Sequence, residues 1–276
     1  MTLFANLQQR IPVTIYDTPQ ALGQSLAHEL LAQINAAAVT GRPYLLGCPG
    51  GRSLRSTYQA LGEQARHSQA NLAHLVIVMM DEYVLPVGRR FSYCPEAVHY
   101  SCRRFARQEI QAVINAGLPA ERQIPDSQLW FPDPAQPVAY DARLQAAGGI
   151  DHFLVASGAS DGHVAFNPPG SRLTEPSHII PLAETTRRDN LKTFPDFSSL
   201  DEVPGYGVSV GLGTIAGLSR QVTLVIHGQQ KQFAVRRLAE CAGFNPDWPA
   251  SMIFECAQPR LLLDKAAATT LFSEAA

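Results

Sequence analysis

The feature that most constrains this chain is a set of short, mainly apolar runs without polar alternation: "LVIVMM", "HFLVA", "VTLVI" and "RLLL". A strand that faces water on one side alternates apolar and polar residues. A strand without alternation is buried on both faces, which requires a cover of helices above and below the sheet. The segments between the runs supply that cover. In "DTPQALGQSLAHELLAQINAA", Thr18 stands as N-cap and Pro19 at the first helical position, and Leu22, Leu26, Leu30 and Ile34 repeat every four residues.

Further strands are expected at "VTIY", "PYLLGC" and "YGVSVGL", with "LVIVMMDEY" read as one strand ending in acids. Helices are expected from about Leu54 to Arg66, around Glu96–Ala116, Val138–Ala147 and Gln230–Cys241, and in the tail. The Pro-rich connection Leu118–Pro137 is flanked by elements of the same kind and marks no boundary. The expectation is an α/β chain: a single domain over 1–276, Rossmann-like, with a mostly parallel sheet and helices on both faces.

Composition narrows the partners. The net charge is −2, so no basic field favours nucleic acid or an acidic membrane. The apolar runs fall far short of the ~20 residues of a transmembrane helix. Cys48, Cys94, Cys102, Cys241 and Cys256 form no CxxC pair and no signal peptide precedes them, which reads as free thiols in a cytoplasmic protein. No metal is expected, because no Cys or His falls at ligand spacing. No cofactor is expected either, since the chain carries neither GxxxxGK[ST] nor GxGxxG. Lysine occurs only at positions 192, 231 and 265, so each lysine merits inspection.

In parallel sheets, ligands sit beyond the carboxyl ends of the strands. Three motifs fall there. "GCPGGRS" (47–53) is a glycine turn before a helix; its backbone N–H groups and the helix dipole favour an anion, with Gly50, Gly51, Arg52 and Ser53 the candidates. "MMDEY" puts Asp81 and Glu82 at the end of a buried run, where burial favours a carboxylate able to act as a base. "SDGH" sets Asp161 two residues before His163, a pairing that selects the histidine tautomer. Arg187 and Lys231 are isolated cations suited to phosphate. Taken singly, each motif also has an ordinary reading as a turn, a cap or a solvated charge.

Taken in order, the motifs resemble the glucosamine-6-phosphate deaminase/isomerase family and, more distantly, the 6-phosphogluconolactonases. The pieces are "LGCPGGRSLRSTYQAL", "VMMDEYVLP", "SGASDGHVAFNPPGSRL", "TTRRDN", "YGVSVGLGTI" and "VIHGQQKQFAV", spread over nearly the whole chain. The resemblance implies a sugar phosphate held by Gly50, Gly51, Arg52, Ser53, Arg187 and Lys231, with Glu82 and Gly162 beside it. It implies that Asp81 moves a proton from C2 in aldose–ketose isomerisation, and that His163 with Asp161 opens the sugar ring. Loss of ammonia follows if C2 carries an amino group.

The chain departs from the pattern in several places. Pro168 stands where the family's FNEPG has a glutamate that partners the histidine. Arg52 stands where the phosphate loop usually has glycine, and "RLTEPSHIIPL" lacks the basic residues of members regulated by a sugar phosphate, so that regulation is expected to be absent. "LPVGRRFSYCPEAVHY" runs longer than the pattern. Two other functions stay open: a lactonase-type hydrolase with His163 as general base, and a non-catalytic sugar-phosphate binder. One sequence shows no interface, and a homo-oligomer also stays open.

Overall fold

The computed structural model describes residues 2–272. Its strands, in chain order, are β1 (Val13–Tyr16), β2 (Tyr44–Cys48), β3 (Leu75–Met79), β4 (Asp81–Val87), β5 (Arg90–Tyr93), β6 (Leu129–Trp130), β7 (His152–Ala156), β8 (His178–Pro181), β9 (Tyr206–Ser209), β10 (Val222–Ile226) and β11 (Pro259–Asp264). Seven of them form a sheet in the order β1-β11-β10-β7-β2-β3-β6, with every pairing parallel. The runs without polar alternation are its centre. Successive residues of one run serve opposite faces: Leu46 and Ile77 enter the core beneath the Pro19–Val39 and Arg55–Ser68 helices. Leu45, Val76 and Val78 enter a second core that includes Val235 and Leu238 of the Gln232–Glu240 helix.

The expectation is corrected at "LVIVMMDEY". The run breaks at Met80 and the chain turns out of the parallel sheet. β4 joins a second sheet, four-stranded and antiparallel, in the order β5-β4-β9-β8. "YGVSVGL" belongs there too, as β9 beside β4, and not in the parallel sheet. The two sheets stay joined where Val210 N–H donates to the Met80 carbonyl at 2.7 Å. A strand in either sheet needs the same apolar residues; the partner decides which sheet it enters.

The helix expected around Glu96–Ala116 begins later, at Cys102, where Ser101 caps it. It continues through a π-turn at Ala106–Gln111 to Asn115. The Pro-rich connection is not featureless, because its Leu129–Trp130 pairs with Ile77 and Val78 of β3 and forms the sheet edge. In the tail a helical turn covers Lys265–Ala268, and residues 273–276 lie outside the described residues. Among the described residues no helix is long and apolar enough to cross a membrane.

In the strand order, β2 leads outward to β3 in one direction and β7 leads to β10 in the other. The junction between β2 and β7 is therefore the point where the winding reverses, and a crevice opens above it.

Candidate active site

A cavity of about 490 Å³ occupies that crevice. Its wall is assembled from the carboxyl ends of four adjacent strands: Pro49–Ser53 after β2, Met80 and Asp81 after β3, Ser157–Ala159 and His163 after β7, and His227 with Lys231 after β10. The Glu184–Thr193 helix closes one side with Thr186, Asp189, Asn190 and Lys192. A second hollow of about 520 Å³ near residues 111–126 is lined by neither lysine nor arginine. Its Asp126 is taken by Arg107 and Gln111.

The glycine turn has the geometry of an anion site. Gly51 lies at φ +79, where a side chain would be strained, and the Arg55–Ser68 helix starts without a side-chain cap. Its first N–H groups are therefore left for a ligand. Arg52 is exposed and its side chain makes no hydrogen bond or ion pair with any described residue. His227 Nε2 lies 2.9 Å from the Ser53 carbonyl and ties the turn to β10. Opposite, Lys231 Nζ donates to the Ser157 carbonyl at 2.6 Å. Burial lowers its pKa; Asp189 opposes that shift, Arg52 reinforces it and Asp161 opposes it.

Asp81 opens β4 at the point where the chain leaves the parallel sheet, and only 6% of it is exposed. Burial pushes its carboxyl up to about 7, with a hydrogen bond from the Cys102 thiol and the nearby His163 pulling down and Glu82 pushing up. A carboxyl poised there exchanges protons readily near neutrality.

His163 Nδ1 lies 2.7 Å from Asp161 Oδ1, and the His163 backbone N–H donates to the same oxygen at 3.1 Å. Thr185 Oγ1 donates to the other carboxylate oxygen at 2.5 Å. Burial alone would raise the Asp161 pKa; the donors from His163 and Thr185 outweigh it and hold the acid well below the usual carboxylate range. An ionised Asp161 only accepts, so Nδ1 carries the proton and Nε2 is left free to accept one. Gly158 makes this pair possible: a Cβ there would collide with the His163 ring and the Asp161 carboxylate.

Three expected substrate contacts lie elsewhere. Glu82 points to the far side of β4 and is fully buried. It accepts from Tyr83 N–H (2.8 Å), Ser101 Oγ (2.8 Å), Cys102 N–H (2.9 Å) and Arg103 N–H (2.8 Å), anchoring the start of the Cys102 helix. Arg187 donates to the Val203 carbonyl at 3.0 Å and the Leu200 carbonyl at 2.5 Å, and does not line the cavity. Gly162 is also absent from the wall and packs on Trp248.

Sequence reasoning missed the helix residues Lys192, Asp189, Asn190 and Thr186, and an aromatic wall of Tyr83, Phe166 and Phe194. Tyr83 lies 5.0 Å from Phe166 and 6.3 Å from Phe194 between ring centroids. Lys192 carried the one available signal: scarcity. It sits five residues after Arg187, so more than a full helical turn separates the two.

The comparisons agree with this architecture. A family model described as glucosamine-6-phosphate isomerases/6-phosphogluconolactonase matches residues 17–263. A glucosamine-6-phosphate deaminase from Rhodococcus jostii (strain RHA1) is 31% identical over 262 residues, covering 94% of this chain and 92% of that protein. The structure of a monomeric glucosamine-6-phosphate deaminase superposes with a TM-score of 0.75 at 24% identity, over 94% of this chain and 100% of that one. The 6-phosphogluconolactonase from Trypanosoma brucei superposes with a TM-score of 0.65 at 18% identity, over 95% of this chain and 98% of that one, and shows the shared fold. With the match spanning both the sheet and the cavity it carries, the chain belongs to the glucosamine-6-phosphate isomerase/6-phosphogluconolactonase family of sugar-phosphate enzymes.

Proposed function

We propose that this enzyme interconverts aldose and ketose forms of a hexose or hexosamine 6-phosphate, releasing ammonia when C2 carries an amino group. The observation that carries the reading is the placement of Asp81, with its carboxyl near neutrality, in the same cavity as the His163–Asp161 pair and the cations Arg52, Lys192 and Lys231. The phosphate binds at the glycine turn among these cations, and the sugar carbons extend toward Asp81 and His163.

His163 Nε2 takes the proton of the anomeric hydroxyl and returns it to the ring oxygen. The C1–O5 bond breaks and a C1 carbonyl forms. The ionised Asp161 holds the imidazole in the required tautomer throughout. Asp81 then removes the C2 proton as its electron pair forms a C1=C2 double bond and O1 takes up the negative charge; Asp81 delivers that proton to C1 while the proton of the C2 hydroxyl or amine passes to O1. With a C2 hydroxyl the product is the ketose phosphate. With a C2 amine, the same shift yields an imine at C2, which water hydrolyses to ketose phosphate and ammonia.

A lactonase reading is favoured by one feature: Pro168 leaves the His163 loop without a second carboxylate beside Asp161, and hydrolysis needs only a histidine to activate water. Purified enzyme is assayed side by side on 2-amino-hexose 6-phosphates, hexose 6-phosphates and a 6-phospho-lactone. Formation of ketose phosphate, with ammonia from the amino substrates, is expected. Accelerated lactone opening with no isomerisation would overturn the proposal.

A further inference from the structure

The carboxylate of Asp189 plays no part in the mechanism above, yet its position calls for one. It lies on the Glu184–Thr193 helix, lines the cavity, and its side chain has no hydrogen-bond or ion-pair partner among the described residues. Ligand atoms of Asp161, His163 and Asp189 all lie within 4.8 Å of one another. Two carboxylates this close repel unless positive charge stands between them. The same spacing suits a metal cation, but Lys231 and Arg52 already bring positive charge to this end of the cavity. Asp161 is moreover filled by its donors from His163 and Thr185. The imidazole is the group that both acids can serve.

We propose that Asp189 is a positioning residue for His163: a second carboxylate, supplied by a helix distant in sequence, that stabilises the imidazolium formed during ring opening. This rests on the proposed isomerase reading for its catalytic consequence, though not for the electrostatic one. Pro168 fits the same picture. It does not line the cavity, and its carbonyl accepts from the Ser171 hydroxyl at 2.7 Å, so the loop that carries His163 offers only Asp161. The charged groups around His163 are then Asp161 on its own loop, Asp81 at the start of β4, Asp189 from the helix, Lys231 after β10 and Arg52 in the glycine turn. Asp161 fixes the ring through Nδ1. Asp189 acts through space, and its charge offsets the two cations that would otherwise disfavour an imidazolium.

The test compares Asp189→Asn and Asp189→Glu with the unmodified enzyme. For Asp189→Asn, kcat falls about ten- to a hundredfold, near or below the lower end of a full general acid–base contribution, while KM stays within about threefold. Asp189→Glu restores most of the loss. A second readout needs no substrate: the ¹⁵N resonances of the His163 ring, at one pH near neutrality, show a smaller imidazolium population in Asp189→Asn than in the unmodified protein. An unchanged His163 spectrum overturns the proposal, as does a loss confined to KM, which would make Asp189 a substrate-binding group. If the unmodified enzyme isomerises nothing while the spectrum shifts, the isomerase reading fails and the electrostatic role of Asp189 stands.

Discussion

The two faces of β4 at its first residues receive adjacent carboxylates and treat them oppositely. Asp81 looks into the cavity, has little beyond the Cys102 thiol to hydrogen-bond it, and has its carboxyl pushed up to about 7. Glu82, one residue on, is turned through the strand's half-repeat into the protein. There it accepts three backbone N–H groups and the Ser101 hydroxyl. Burial is nearly complete for both, so burial alone does not make a base. What separates them is the supply of partners: Glu82 is saturated with hydrogen bonds and faces the Arg103 guanidinium at 3.5 Å, and Asp81 is nearly deprived of both. The two are also coupled. Glu82 fixes residues 101–103, and that places Cys102 against Asp81.

The sharpest way to break the contrast is Asp81→Asn. We expect kcat to fall about 10²- to 10⁴-fold with the fold intact, read by steady-state kinetics beside circular dichroism. Because the base must be ionised to accept the C2 proton, the activity of the unmodified enzyme rises with pH through about 7, where the Asp81 carboxyl loses its proton. A rate that is flat across that range would remove Asp81 from the proton-moving step.

Glu82→Gln tests the other face. An amide puts an NH₂ group against backbone donors, and we expect a loss of about 2–4 kcal/mol in urea denaturation. Stability within about 0.5 kcal/mol of the unmodified protein would show that the four donors do not depend on the charge.

The smallest effects distinguish two cations of one helix. Lys192, without a hydrogen-bond or ion-pair partner among the described residues, should cost about tenfold in KM when replaced by alanine, with kcat much less affected. Arg187→Ala should instead lower stability by about 1 kcal/mol and leave KM alone, since its guanidinium ties the helix to the Leu200–Glu202 turn. A rise in KM for Arg187→Ala would return Arg187 to the substrate.

Legibility in the sequence followed the range of the interaction that places each group. "SGASDGH" could be read because Asp161 and His163 meet across two residues of one loop, with Gly158 leaving room for them. The glycine turn was legible for the same reason, since its positive φ at Gly51 and the open N–H groups of the helix that follows belong to the backbone itself. The inward turn of Glu82 was hidden because period-2 alternation, which sends it to the opposite face from Asp81, lies inside a run buried on both faces. Arg187 lies outside the wall, and nothing local tells which turn of a helix faces a cavity. Asp189 and the aromatic wall were invisible for a like reason: Tyr83, Phe166 and Phe194 share a surface only after β4, the His163 loop and the Glu184–Thr193 helix have docked.

The amino-acid sequence alone was enough to determine a parallel sheet buried on both faces, its principal helices, the glycine turn after β2 and the His163–Asp161 pair. Each of these depends on periodicity or on neighbours along the chain. Only the tertiary structure decided that the chain leaves the parallel sheet at Met80, that Asp81 faces the cavity while Glu82 faces inward, and that Asp189 and Lys192 complete the wall. Those outcomes depend on which strand a strand pairs with and how a helix is rotated as it packs. Both are settled by the summed burial of residues far apart in the chain.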